Sequence, residues 1–311
     1  MTAAIDTKDR DVVKRPMLRA FFGSPSGWVG TFIITCFIVI AVIGPHLYEA
    51  RAVHLNVLNA YQRPTLGHIL GTNALGQDVF ARLMVATRLT LELAIGAAGV
   101  GLLVGVTIGG TAVICPPRIR GFLLRTIDTL LCFPTILIAI FLITIIGPGS
   151  TGAIVGVGIG EAFYFSRISS SLGLSIAERE YVQAARVTGV RRVKLLVRYV
   201  LPNIFETMII AASSAVSECV VTISALSFLG LGVQFPDYDW GRLLTDGVTG
   251  IYLQPWGAVG PALAIALLAM GFGLIGEALA RASNPRVWTA ELHSGRLARN
   301  RYRRLNNAVE L

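Results

Sequence analysis

The sequence predicts an all-α integral membrane protein of about six transmembrane helices. Three observations carry that expectation. Hydrophobic residues make up 54% of the chain and charged ones only 14%, too few to clothe a water-soluble surface. The apolar residues fall into runs close to the roughly 20 residues that cross a hydrocarbon core. Lysine and arginine collect in alternate segments between those runs, the asymmetry that sets topology. A net charge of +9 would also suit nucleic acid, yet the basic residues do not gather with aromatics on one face, so no nucleic-acid partner is expected and lipids are. Cys36, Cys115, Cys132 and Cys219 stand singly, without CxxC or metal-ligand spacing, which argues against disulfides and a metal site.

Taken in order, residues 1–27 form a basic segment ahead of an uncleaved first span, about Trp28 to Tyr48, with Pro45 at its far end. Residues 49–86 read as a polar, irregular segment poor in Lys and Arg. A second span, about Leu89 to Val113, is rich in glycine, the composition of a helix packed closely against another. A Pro116-Pro117 turn leads to a third, about Leu123 to Ile146, which Pro134 kinks or pauses. The fourth runs from about Thr151 to Leu172 and the fifth from about Ile204 to Leu229. Residues 231–256 are a second long polar segment, and the sixth span, about Gly257 to Ala280, precedes a basic tail at 282–311. Residues 28–86 thus hold the first span and its following segment, and 87–281 hold the five-span core. The basic segments alternate with the poor ones, so both termini are expected on the cytoplasmic side.

Between the fourth and fifth spans lies one long polar insert, 178–203. Glu178 and Glu180 suit a helix first turn, and Gly189 falls where a left-handed cap belongs. A second short helix, about Arg191 to Val200, is expected to stop before Pro202. Val182, Ala185 and Gly189 share one face, small enough to sink into a partner. The insert's arginines and Lys194 read as solvated or headgroup contacts.

No catalytic constellation stands out. There is no GxxxxGK[ST] loop, GxSxG or HExxH, and Gly156-Val-Gly158-Ile-Gly160 has the wrong spacing for a nucleotide loop and lies within a span. Acidic residues within spans are pathway candidates by default because of their desolvation cost. Glu277 reads as an i,i+4 partner of Arg281 and Asp128 as a local partner of Arg125, while Glu92 lies near a wet boundary. Glu218, with Ser214 and Ser217 on a polar stripe, and Glu161 remain the candidates for the translocation pathway.

The run Glu180-Tyr-Val-Gln-Ala184-Ala185-Arg-Val-Thr-Gly189 with Leu201-Pro202-Asn203 resembles the cytoplasmic coupling loop of binding-protein-dependent ABC importer permeases. His68-Ile-Leu-Gly-Thr72, Gly76-Gln-Asp78, Arg82, Asp128 with Phe133-Pro134, Leu226 to Gln234, Trp240-Gly-Arg242 and Asn284-Pro285-Arg286 are similar to the C-type subunit of the dipeptide, oligopeptide and nickel group. Ile69, Asn73, Gln77, Ala162, Ser170, Glu92 and Glu161 depart from that pattern and bear on the substrate rather than the fold. The resemblance implies a type I ABC importer permease in a bacterial cytoplasmic membrane, non-catalytic, binding no cofactor itself, with ATP and Mg held by partners. Those partners would be a second homologous permease in a heterodimer, two ATPase subunits and an extracytoplasmic substrate-binding protein. Glu180, Ala184, Ala185, Gly189, Leu201 and Pro202 would couple to the ATPases. The solute implied is a di- or oligopeptide, with nickel or another small solute as the alternative. A secondary transporter is the competing class, but no inverted repeat is visible.

Overall fold

The computed structural model describes residues 21–283, which are helical with no strand among the described residues beyond a single antiparallel bridge between Thr72 and Asp78. Asn284-Pro285-Arg286, nearly all of the basic tail and most of the N-terminal segment lie outside them.

Helix α1, Pro25–Val53, opens at Ser24, whose hydroxyl accepts from the Gly27 N–H at 3.1 Å, with Pro25 in the first turn where an N–H is not needed. Pro45 does not end it, and the helix continues through Val53. Helix α2, Val79–Ile114, starts ten residues before the expected Leu89 because Asp78 caps it: one carboxylate oxygen accepts from Phe80 N–H at 2.9 Å and Ala81 N–H at 3.2 Å. At about 1.5 Å per residue its 36 residues reach beyond a ~30 Å hydrocarbon layer, so one end stands in the polar zone.

Helix α5, Ser150–Ala177, packs along α2 through a seam of glycines. A Cβ at Gly101 would lie 3.0 Å from the Gly158 carbonyl oxygen, one at Gly105 2.6 Å from that of Ala162, and one at Gly109 2.6 Å from that of Ser166. Glycine at every fourth position puts the backbones themselves in contact, the device by which helices associate without a hydrophobic driving force. Both series ascend together, so α2 and α5 are parallel, and the chain between them must return across the bundle.

That return is broken. Helices α3, Pro117–Leu130, and α4, Thr135–Ile146, meet at 95°, a far sharper break than a kink. Pro134 lacks an N–H and pushes Phe133 out of helical geometry, so the last turn tightens, with Cys132 N–H on the Thr129 carbonyl and Phe133 N–H on that of Leu130. Cβ atoms added at Gly160 and Gly156 would meet Thr135 and Ala139 respectively, so α4 runs antiparallel to α5.

The insert contributes α6, Glu180–Val187, and α7, Arg192–Leu195. Pro202 does not terminate the second of these. A π turn over Leu196–Val200 carries the chain directly into α8, Leu201–Phe228. The Leu201 N–H reaches the Leu196 carbonyl, and this wider turn admits Pro202 in the first turn of α8. The segment expected to be a loop at 231–256 contains α9, Trp240–Thr249, capped by Asp239 through the Arg242 N–H at 3.0 Å. Helix α10, Trp256–Ala282, closes the bundle.

Among the described residues, four runs are long and apolar enough to cross a bilayer: α1, α2, Arg192–Phe228 and α10; the bent α3–α4 pair makes a fifth when counted as one span. The expected fourth span, α5, has the length, but glycine, serine, Glu161 and Arg167 dilute its hydropathy. Packing explains the difference: the face bearing Ala153, Val157, Ala162 and Phe165 is fully buried in the bundle, where lipid contact does not select for apolarity.

Gly105→Ala is expected to destabilise the bundle by about 1–3 kcal/mol through overpacking, because the backbone of Ala162 cannot give way. Gly99→Ala, with nothing within 4 Å, should be neutral or slightly stabilising. Thermal unfolding of the two variants in detergent checks the contrast.

Candidate functional site

Helix α6 ends in a full left-handed cap. Gly189 has φ +83°; its N–H bonds the Arg186 carbonyl at 3.1 Å and the Val190 N–H bonds that of Ala185 at 3.2 Å, satisfying the orphan carbonyls of the last turn. A left-handed residue other than glycine strains the backbone here. The space beside it is empty, so the requirement is conformational rather than steric.

The face of α6 that meets the bundle is not the one expected. Val182 is buried within this chain, and Ala185 and Val190 pack against the same core. Gln183 donates to the Ala177 carbonyl at 3.1 Å, fastening α6 to α5. Glu180, Tyr181, Ala184, Val187 and Gly189 are exposed, and their three-and-four spacing makes a second, outward stripe. Any docking partner meets that stripe rather than the Val182 face. Leu201 is half-buried, and Pro202 is exposed in a hollow bordered by Arg191, Val193, Lys194, Val197 and Arg198.

Not all of the basic side chains here are solvated. Arg192 donates to the Ile114 carbonyl at 3.2 Å. Arg120 donates to the carbonyls of Ala112, Val113 and Cys115 at 3.2 to 3.4 Å. Both cations therefore close the C-terminal end of α2, where carbonyls lack partners and the helix dipole favours positive charge. Sequence spacing had no means of assigning Arg192 to a helix that ends 78 residues earlier.

Among the pathway candidates, the structure separates two from two. Glu161 is 5% exposed, beside Gly101 in the α2–α5 seam. Glu218 is exposed on the surface of this chain and borders a hollow with Val221, Thr222, Ala225 and the unwound 131–134 joint. Ser217 donates to the Ala269 carbonyl at 2.7 Å, an α8–α10 link. Ser214 lies beside Gly276 of α10 yet remains exposed. Asp128 does not pair with Arg125: Arg167 of α5 reaches it at 3.2 Å. Glu277 does pair with Arg281, and Glu92 with Arg88 at 2.8 Å.

At the opposite end of the bundle from α6, the signature residues form one polar latch. The second oxygen of Asp78 accepts from Arg51 of α1 at 2.9 Å and lies 3.2 Å from His68 Nδ1. Arg82 donates to Gln77 at 2.9 Å and lies 4.4 Å over the Tyr238 ring, a cation–π contact. Asn73 and Gln77 answer one another: the Asn73 amide donates to the Gln77 side chain at 2.9 Å, and the Asn73 carbonyl accepts from the Gln77 N–H at 2.9 Å. Trp240 is fully buried, donating from Nε1 to the Leu83 carbonyl at 3.1 Å. Burial pushes the Asp239 carboxyl above its ordinary value, and the Arg242 N–H pulls part of that back.

Comparison with known proteins gives concordant results. The family described as "Binding-protein-dependent transport system inner membrane component" matches residues 97–289. The dipeptide transport system permease protein DppC of Alkalihalophilus pseudofirmus is 33% identical over 83% of this chain and 85% of its own length. The nickel transport system permease protein NikC of Escherichia coli is 31% identical, covering 79% and 88% respectively. The oligopeptide transport system permease protein OppC of Bacillus subtilis is 30% identical, covering 91% and 92%. Among solved structures, an inward facing MetNI methionine ABC transporter chain superposes with a TM-score of 0.53 at 16% identity, over 65% of this chain and 96% of that one, a likeness of fold.

Gly189→Ala should cost about 1 kcal/mol at the left-handed cap. Gly121→Ala, equally unobstructed but at ordinary φ, should cause no loss; thermal unfolding of both variants in detergent measures the difference. For Asp239 the raised folded value means that stability is lost as pH rises from 3.8, the ordinary value, through the raised one. Asp239→Asn retains the cap and should flatten that dependence in thermal melts across the acidic range.

Proposed function

This chain belongs to the family of binding-protein-dependent transport system inner membrane components, and on that premise we propose how it divides the work of import with its partners. It is the permease subunit of an ABC importer, a multi-pass membrane protein whose ATPase and substrate-binding partners are separate chains. The observation that carries the proposal is the unbroken run Arg192–Phe228. The capped α6 leads through the short 188–191 joint, held by the Gly189 cap, into the helix that bears Glu218, so displacement of α6 by a partner reaches the membrane interior.

In this reading the exposed stripe Glu180, Tyr181, Ala184 and Val187 docks on an ATPase subunit, with Gly189 fixing the exit of α6. Ala185 and Leu201 brace the insert from inside, and Pro202 sets the start of α8. ATP and Mg act in the partners; this chain binds no cofactor and performs no catalysis. Approach of two ATPase subunits moves α6, tilts α8, and alternates access to the pathway between the two sides. Glu218, on the unpartnered surface of α8, faces a second, homologous permease across that pathway, making a heterodimer. Glu161 holds a buried polar position behind it, while Ser217 ties α8 to α10 and Ser214 stands exposed beside Gly276. Both termini and α6 lie on the cytoplasmic side of a bacterial cytoplasmic membrane, and residues 49–86 and 231–256 receive the binding protein.

The solute is a di- or oligopeptide, a reading supported by the dipeptide and oligopeptide permeases among the relatives. The nickel permease supports a second reading, nickel or another small solute. Proteoliposomes containing the complete importer discriminate: labelled dipeptide should enter only with internal ATP, and entry driven by a proton gradient alone would refute the assignment to ATP-driven import.

Glu180→Lys and Gly189→Asp should each abolish solute-stimulated ATP hydrolysis or release the ATPases while leaving membrane insertion intact. Glu218→Gln should lower uptake several-fold with docking unchanged. Co-purification stoichiometry and uptake, measured on the same preparations, separate the two effects.

A further inference from the structure

The Thr65–His68 turn hangs from the membrane exit of α1. Thr65 and His68 exchange backbone hydrogen bonds at 2.9 and 3.2 Å, and Arg51, in the last turn of α1, donates to the Gly67 carbonyl while pairing with Asp78. Its height relative to the bundle follows from Leu70. A Cβ on Gly260, inside the apolar helix α10, would lie 2.8 Å from Leu70 Cδ1 and 3.8 Å from Leu83 Cδ2 of α2. Gln254 holds the Leu70 carbonyl from just before α10. The segment 65–70 is therefore drawn down to the level of the first turns of α10 and the second turn of α2, instead of standing clear of the bundle.

At that level Leu66 is 107% exposed and Ile69 59%. The neighbouring surfaces are those of a lipid boundary: Leu47 and Val53 of α1 are exposed, and Trp256, half-exposed at the start of α10, is the residue type that gathers where acyl chains meet headgroups. Arg63, exposed two residues before the turn, adds a cation at headgroup height. Two large aliphatic side chains left in water would forgo the gain of burying their apolar area.

We propose that the Leu66–Ile69 turn is an interfacial anchor, seated in the headgroup–acyl boundary of the leaflet on the side that carries residues 54–78. The partner of this turn is the lipid surface itself, and the remainder of the outer segment is left to the binding protein. Anchored there, the turn pins Arg51 and Asp78, and hence the capped start of α2, at a fixed depth.

The test places single nitroxide labels on Leu66→Cys and Ile69→Cys in the assembled importer, with Cys36, Cys115, Cys132 and Cys219 replaced, in liposomes without binding protein. Val42→Cys, exposed in mid-α1, serves as the lipid reference and Asp237→Cys as the aqueous one. The ratio of oxygen to nickel-chelate accessibility at 66 and 69 should lie several-fold above that at 237, toward that at 42. A ratio equal to that at 237 overturns the proposal. Low accessibility to both reagents overturns it in favour of a protein contact, as does protection that appears only when binding protein is added. If labelling impairs assembly, Leu66→Trp gives a second readout. The fluorescence it adds over the parent chain should be quenched by brominated lipid, and quenching only by aqueous iodide would refute the anchor.

Discussion

The backbone contact between α2 and α5 is the constraint on which the rest of the bundle depends. Gly101, Gly105 and Gly109 bring two parallel helices close enough that any side chain would strike a carbonyl. Parallel neighbours oblige the intervening chain to return, and α3 with α4 makes that return. Interior placement of α5 then allows Glu161, Ser166, Ser169 and Ser170 to be buried in a helix that would be too polar to face lipid. Those hydroxyls find carbonyls locally, Ser169 also reaching that of Gly105 at 3.3 Å, as a medium without water requires.

Three breaks in the helical backbone bear on the site, each with a local cause. Proline 134 breaks the return crossing, a π turn admits Pro202, and a left-handed glycine ends α6. The first borders the hollow containing Glu218, and the other two bracket the path from the docking helix to α8. At both ends of α2 a charged side chain covers the exposed polar groups: Asp78 at its start, and Arg120 and Arg192 at its finish. The latch at one end and the insert at the other thus grip the same 36-residue helix.

Most of the spans were legible because lipid imposes length and apolarity on each one separately. The α6 cap was legible too, since Gly189 after an acidic first turn is a local signal. Boundaries were less so. Asp78 looked like part of a loop signature until its carboxylate was found on the first N–H groups of α2. Pro202 looked like a stop because a π turn has no composition that announces it. Asp128 was assigned to Arg125, three residues away; its partner Arg167 is 39 positions distant and adjacent only after α3 and α4 fold back on α5.

By itself, the sequence determined an all-α membrane protein, the position of the polar insert, and the motif spacing that identifies the family; each is encoded in residues near one another along the chain. Only the tertiary structure decided which face of α6 is free, that Glu218 is open while Glu161 is buried, that the third crossing turns through 95°, and that α5 lies inside. Those outcomes depend on which helices touch, and helix contacts in a membrane are set by close packing between distant segments, which no local pattern of hydrophobicity records.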